Sequence, residues 1–403
     1  MVKRIYESML AEHFEQNDQM ALMPGPRQCG KTTTAKALCE KHPVSVYLNW
    51  DFPSDRELIL KGAAALIDSV RSDRMTATSG FVALDEIHKL KGWKNYLKGY
   101  YDATKAQLKT LVTGSARLDI FKKAGDSLMG RYFLYRIHPL SVAELLGRPY
   151  EPKETSLPEK LNDTCWGNLL EFGGFPEPYI KADQRFLNRW SHLRFQQLLR
   201  EDIQGLTRIS DLDKMEVLAK ILQRQSGGQV NYSNYAKLVQ VDPKTIRHWL
   251  DVLKGFYYCF TIQPWHKNIN RSLMKEPKVY LWDWSKIEDI GARHETMMAL
   301  HLLKAVHFWE DIGLGQYGLY FLRDKDQREV DFLVTRNNKP WILLEVKSSG
   351  SKRLSPSLYH FQEQLQAEHV FQVAFDLPYE DMDCFAAGKP VIVSARTFLS
   401  QLV

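Results

Sequence analysis

Between Asn17 and Ser141 short apolar clusters alternate with helical stretches: Met20 to Met23, Val44 to Leu48, Phe81 to Leu84, Leu108 to Thr113 and Tyr132 to Ile137. Brief β-rich runs spaced by helices predict a parallel α/β sheet. Arg148 to Pro158, with Pro149, Pro152 and Pro158 set among charged residues, predicts a linker or exposed loop that closes this first domain. From Lys160 to about Leu222 the pattern is helical, and Phe186, Trp190, Leu193, Phe195, Leu198 and Leu199 form an apolar stripe suited to a lid. Tyr232 to Ile262 then reads as helix, the turn Val241-Asp242-Pro243, a second helix through Ile246, Trp249, Leu250 and Leu253, and an aromatic strand from Phe256, the order of a winged helix. The remainder mixes strands and helices and includes a hairpin from Arg328 to Lys347 around Asn337-Asn338-Lys339. The expected domains are residues 1–147, 148–225 (helical lid), 226–274 (winged helix) and 275–403.

A chain of 403 residues is too long for one core to be the default, and 44% hydrophobic with 25% charged residues is globular rather than disordered composition. The N-terminus Met-Val-Lys-Arg-Ile-Tyr-Glu-Ser has no apolar targeting core, and no apolar run is long enough to cross a bilayer. Five scattered cysteines without a C-x-x-C pair indicate neither a disulfide framework nor a structural zinc site. A soluble, cytoplasmic protein without a membrane role is expected. The net charge of +6 is compatible with a nucleic-acid partner and does not establish one.

Gly25-Pro-Arg-Gln-Cys-Gly30-Lys31-Thr32 satisfies G-x-x-x-x-G-K-[ST] between an apolar run and a helix. Glycines let the backbone N–H groups face phosphates, Lys31 reaches the β and γ oxygens, and the Thr32 hydroxyl ligates Mg2+, so ATP and Mg2+ are the expected cofactors. Gly25, Gly30, Lys31, Thr32 and Thr33 make up the loop's part of the nucleotide site. Phe81-Val82-Ala83-Leu84 delivers Asp85-Glu86 at a strand end, where ligands collect in parallel sheets; Asp85 would hold the metal and Glu86 polarise the attacking water. The next strand, Leu108 to Val112, ends in Thr113-Gly114-Ser115 and offers the Thr113 and Ser115 hydroxyls to the γ-phosphate, although Thr and Ser also simply make turns. Arg131 could stabilise charge in phosphoryl transfer, or be a solvated arginine at a strand start.

With these motifs in view, GPRQCGKTT, ALDEIH, LVTGSAR and SLMGRYFLYRIHPLS resemble the AAA+ superfamily, specifically the bacterial and archaeal ATPases whose domain is named AAA_14. Phe172-Gly-Gly-Phe-Pro-Glu-Pro178, Leu199-Arg-Glu-Asp-Ile203 and Lys275-Glu-Pro-Lys-Val-Tyr280 are similar to later segments of the same chains, which end in the domain named DUF4143. The resemblance implies a sheet of order 5-1-4-3-2, ATP hydrolysis coupled to conformational change, and a homo-oligomer, such as a hexameric ring, in which Arg131 reaches the neighbouring subunit. Cys29 departs from the valine more frequent in such loops, and Trp282-Asp283-Trp284-Ser285 departs from the usual Asp-x-Gly-Leu.

Between Lys237 and Lys278 basic residues outnumber acids: Lys237, Lys244, Arg247, Lys254, Lys267, Arg271, Lys275 and Lys278 against Asp242, Asp251 and Glu276. Lys244 and Arg247 fall on the exposed part of the second helix, where a recognition helix would meet DNA, although winged helices also serve as protein interfaces. In the hairpin, antiparallel pairing brings Asp331 opposite Glu345, and alternation puts Glu345 and Lys347 on one face. Two carboxylates with Glu295 could hold Mg2+, and Lys347 could activate water. The set resembles the PD-(D/E)XK nuclease fold of Holliday-junction resolvases and restriction endonucleases; an amphipathic hairpin pairing its acids with Lys347 fits the residues equally. Two functions stay open: an ATPase that recognises or cleaves duplex or branched DNA, and an ATP-gated switch whose nuclease-like domain only binds protein or nucleic acid.

Overall fold

The computed structural model describes residues 2–71, 80–115, 128–204, 211–265, 276–350 and 353–403. Lys267, Arg271 and Lys275 of the basic group, and parts of the LVTGSAR and SLMGRYF stretches, lie outside the described residues. The chain divides into two compact units, Met1–His138 and Pro139–Val403.

The first unit is built on five strands, β1 (Met20–Pro24), β2 (Ser45–Asn49), β3 (Gly80–Asp85), β4 (Leu108–Gly114) and β5 (Tyr132–Leu134), in the order β2-β3-β4-β1-β5. Every neighbouring pair is parallel. This is the expected 5-1-4-3-2 order read from the other edge. β1 and β3 are buried along their whole length, as central parallel strands covered on both faces must be. Leu22, Leu48, Val82, Leu84, Leu97 and Val112 form the core between sheet and helices.

The second unit carries a seven-stranded mixed sheet, ordered β12-β11-β10-β9-β8-β6-β7, from β6 (Cys259–Pro264), β7 (Lys278–Leu281), β8 (Tyr317–Arg323), β9 (Glu329–Arg336), β10 (Lys339–Lys347), β11 (His369–Ala374) and β12 (Val391–Ser394). The hairpin turns at Asn337 and Asn338, both at positive φ, which suits a two-residue connection with a right-handed twist. Helices Leu212–Arg224, Tyr232–Val239 and Pro243–Gly255 precede the antiparallel pair β6 and β7, and Gln229 adds a bridge to Lys278. Asp242 caps the last of these helices by accepting from the Lys244 and Thr245 amides, with Pro243 at its first turn.

β6 and β7, on either side of position 274/275, pair with each other, and β6 also pairs with β8, so the β6–β7 pair is the edge of the C-terminal sheet. Arg148 to Pro158 is not a free linker. Arg148 donates to the Ser400 carbonyl at 2.7 Å, Ser156 N to Gln401 O at 2.9 Å, and the Trp309 indole to Glu154 O at 2.9 Å, so the segment is a strap on the second unit. The residues just after the first unit are pinned to the long helix Ile290–Asp311 by a buried charge: Lys304 pairs with Glu144 and donates to Ser141 Oγ at 2.8 Å. Beside it, His301 Nε2 accepts from the Val142 amide at 3.3 Å. Among the described residues, no helix is long and apolar enough to cross a membrane.

Lys304→Met would leave the Glu144 carboxylate buried without its cation and is expected to cost about 3–5 kcal/mol. Urea unfolding followed by tryptophan fluorescence measures this; an unfolding midpoint equal to that of the unmodified protein would contradict the pairing.

Candidate nucleotide site and carboxylate cluster

β1 leads into the glycine loop, where Gln28 (φ 62°) and Gly30 (φ 102°) turn the backbone into the helix Lys31–Lys41. Gly25 lies against Ile137, whose carbonyl oxygen would stand 2.4 Å from any added Cβ, so only glycine fits. Lys31 is buried, and its ammonium donates to the carbonyl oxygens of Gly25 (3.0 Å) and Pro26 (2.7 Å). Thr32 and Thr33 are exposed at the helix start.

Register places Asp85 beside Asn49 on β2 and Thr113 on β4. Its carboxylate is 2% exposed and accepts three hydroxyl hydrogen bonds: from Thr32 (2.7 Å), from Tyr47 (2.7 Å) and from Thr113. Burial, and then Asp85 itself, raise the Tyr47 phenol well above its usual range, so it stays a donor. Next to it Glu86 adopts a left-handed backbone (φ 59°), a conformation uncommon outside glycine and concentrated at functional sites. Its amide still donates to Thr113 O at 3.1 Å. Its carboxylate lies 3.4 Å from the Ser115 hydroxyl, 3.4 Å from the Lys89 ammonium and 3.6 Å from His88 Nε2. Burial lowers the His88 pKa, with Glu86 opposing.

Arg131 stands at the other end of the sheet. Its carbonyl accepts from the Met20 amide, at the start of β1, whereas the glycine loop begins where β1 ends, roughly 15 Å further along at the rise of a strand. Asp102 holds the guanidinium through Nε (2.9 Å) and Nη2 (3.0 Å).

In the second unit, Lys244 and Arg247 are exposed on the helix Pro243–Gly255 while Ile246, Trp249 and Leu250 are buried, and the Arg247 guanidinium lies over the Tyr232 ring at 4.1 Å. The acidic residues assemble differently from the expected metal set. Glu295 and Asp331 do converge, but on an ammonium: Lys278 Nζ, with a 4% exposed side chain, lies 2.7 Å from Glu329, 3.1 Å from Glu295 and 3.6 Å from Asp331. Glu345 pairs instead with Lys347 at 2.5 Å, and its second oxygen is buried without a hydrogen-bond partner. Among the described residues, no three His, Cys, Asp or Glu side chains are grouped to hold a metal ion. Of the expected set, Glu295 and Asp331 therefore meet at the Lys278 ammonium, while Glu345 is turned to Lys347.

Residues 17–146 match the family model of an AAA domain, AAA_14. That stretch is an AAA domain. Residues 165–286 and 290–384 match two domains of unknown function, DUF8612 and DUF4143. An uncharacterized protein of Mycobacterium tuberculosis is 22% identical over 346 residues, 84% of this chain and 72% of its own length. An uncharacterized protein of Haemophilus influenzae is 22% identical over 312 residues, 73% of this chain and 76% of its own. Among solved structures, the Aeropyrum pernix ORC1 protein in complex with DNA is similar over 73% of this chain and 90% of its own, with a TM-score of 0.33 at 12% identity. AMPPCP-bound DnaA from Aquifex aeolicus is similar over 63% and 88%, with a TM-score of 0.30 at 14% identity.

Tyr47, His88 and Arg4 at the AAA domain's site are not evident from the sequence, and Thr113, which is, has a different partner. Tyr47 lies opposite Ala83, and Ala83 and Asp85 share a face of β3, so period-two alternation could have pointed to it. Thr113, whose position at a strand end suits a phosphate sensor, gives its hydroxyl to Asp85. His88, inside ALDEIH, sits beside Glu86. Arg4, buried before the first helix, donates to the carbonyls of Cys29 and His138, which no local pattern announces.

Two buried groups of the second unit titrate in opposite senses. Burial, then Glu295, push the Asp331 carboxyl up to about 7 from 3.8, so the native state holds a proton the unfolded chain has released and stability falls as pH rises through that window. Burial takes His301 down to about 4 from 6.5, so stability falls as pH drops through its window. Asp331→Asn removes the first slope only. Its urea midpoint should fall more steeply than that of the unmodified protein between about pH 7 and pH 4; parallel profiles would refute this reading of Asp331.

Proposed function

We propose that the protein hydrolyses ATP at the AAA domain and uses the cycle to control DNA binding by the winged-helix segment. The observation that carries the reading is the Thr32 to Asp85 hydrogen bond of 2.7 Å directly behind the glycine loop. It joins the two side chains that would hold Mg2+, through oxygen as a hard cation requires, with Glu86 as the next residue. Bound Mg2+ would offset the charge developing on the transferred phosphoryl group. Lys31 would leave the Gly25 and Pro26 carbonyls for phosphate oxygens, Glu86 would orient and polarise the attacking water, and Ser115 would hold Glu86 in place.

The topology supports action of Arg131 on another copy. Its own glycine loop lies a full strand length away, so a guanidinium contribution to phosphoryl transfer would go to a neighbouring subunit's nucleotide in a homo-oligomer. Lys244 and Arg247 face solvent from a capped, well-anchored helix, the disposition of a recognition helix against a DNA backbone. The C-terminal sheet, sharing strands with that segment, would contribute to recognition of duplex or branched DNA.

Lys31→Ala should lower ATP turnover on the order of a hundredfold or more, and Arg131→Ala should do so while a fluorescent ATP analogue still binds. Arg131→Ala turning over normally would remove the finger assignment. Lys244→Ala with Arg247→Ala should weaken duplex binding across sequences and reduce the salt slope by about one for each phosphate no longer neutralised; unchanged binding in a salt series would remove DNA from this helix.

A further inference from the structure

Three elements deliver the carboxylate cluster: β9 supplies Glu329 and Asp331 on one face, the long helix supplies Glu295, and β7 supplies Lys278 with Tyr280 two residues on. The lone pairs facing the centre are already engaged. Glu295 Oε1 takes both Lys278 and the Tyr280 hydroxyl, the latter at 2.7 Å. Asp331 Oδ2 takes the Val346 amide at 2.8 Å, and its Oδ1 faces the lysine. Glu329 gives one oxygen to Lys278 and the other to Arg323 at 3.2 Å. A divalent ion needs several of these oxygens at about 2.0–2.6 Å, in a space where an ammonium would repel it from about the same distance.

The lysine is not a loose surface group that could swing aside. Its side chain is 4% exposed and lies over the Phe321 ring at 5.6 Å. Its backbone is paired on both sides, to Ile262 of β6 and to Gln229. Withdrawal of the ammonium would leave three acidic side chains facing one another in a partly buried setting, which is strongly unfavourable.

We propose that the Glu295, Glu329 and Asp331 cluster is an internal ion-pair hub in which the Lys278 ammonium takes the place of a divalent cation, so that the nuclease-like domain binds its partner without metal-dependent cleavage. The hub also has a mechanical consequence. Lys278 belongs to the winged-helix hairpin and its partners belong to the C-terminal sheet and long helix, so the charge cluster fastens the DNA-facing segment to that sheet. The inference concerns the second unit alone and stands whether or not the AAA domain turns over ATP.

The test is Mn2+ uptake by the full chain without nucleotide, read from the loss of the free Mn2+ electron paramagnetic resonance signal at submillimolar metal, with and without duplex DNA. The unmodified protein and Asp331→Asn are expected to take up the same amount of Mn2+ in both conditions. Loss of a bound Mn2+ per chain on Asp331→Asn, in either condition, would overturn the proposal, and this comparison needs no change at Lys278. Lys278→Met, if it folds, should gain about one Mn2+ per chain, and the gain should vanish when Asp331→Asn is added. A folded Lys278→Met that gains none would show that the lysine does not stand in a cation's place.

Discussion

The AAA domain depends on how one buried carboxylate is supplied with hydrogen-bond donors. Asp85 is almost wholly removed from water, and a polar group in that position is tolerable only if donors replace its hydration. The replacements come from three places: Thr32 on the helix after the glycine loop, Tyr47 on β2 and Thr113 on β4. One side chain thereby fixes the loop against the middle of the sheet. The strained backbone at Glu86 follows at once, and the strong anchoring on its N-terminal side is what allows a non-glycine residue to be held at positive φ there.

The second unit solves the converse problem. It buries lysines, Lys278 and Lys304, and surrounds each with acceptors. Lys304 clamps Ser141 and Glu144, near the start of the second unit, onto the long helix, and the same helix carries Glu295 to the Lys278 hub. The entry of the chain into this unit and the carboxylate cluster thus share one rigid element. A conformational change that reached residues 139–144 would be felt first by that helix, because packed helices shift as bodies rather than deform.

Much of the AAA domain was legible in the sequence. The strands of a parallel sheet are uniformly apolar, the glycine loop has a narrow pattern, and Asp85-Glu86 sits where strand ends collect ligands. The sheet order came with the family resemblance rather than from periodicity. What stayed hidden was contact between distant residues: Tyr47 with Asp85, and Arg4 with the glycine loop. In the second unit the hairpin around Asn337 and Asn338 could be read, because antiparallel pairing is local, but not the register shift between Pro340 and Ile342 or the turn of Glu345 to Lys347. Lys278 could not. Counted by composition it is one more base on a winged helix, and only the tertiary fold shows that its strand is buried along its length. The proline-rich stretch after Arg148 misleads for a related reason, since proline and charge mark an extended backbone without showing whether it is free or strapped down.

Completion of one chain's ATP site by Arg131 of another is the claim on which the proposed cycle turns. The most direct measurement is ATP turnover by a mixture of Lys31→Ala and Arg131→Ala proteins, each inactive alone, with sedimentation confirming that they assemble together. The first variant retains the arginine and the second retains the glycine loop, so mixing is predicted to restore a substantial share of turnover. A mixed assembly that stays inactive would contradict it.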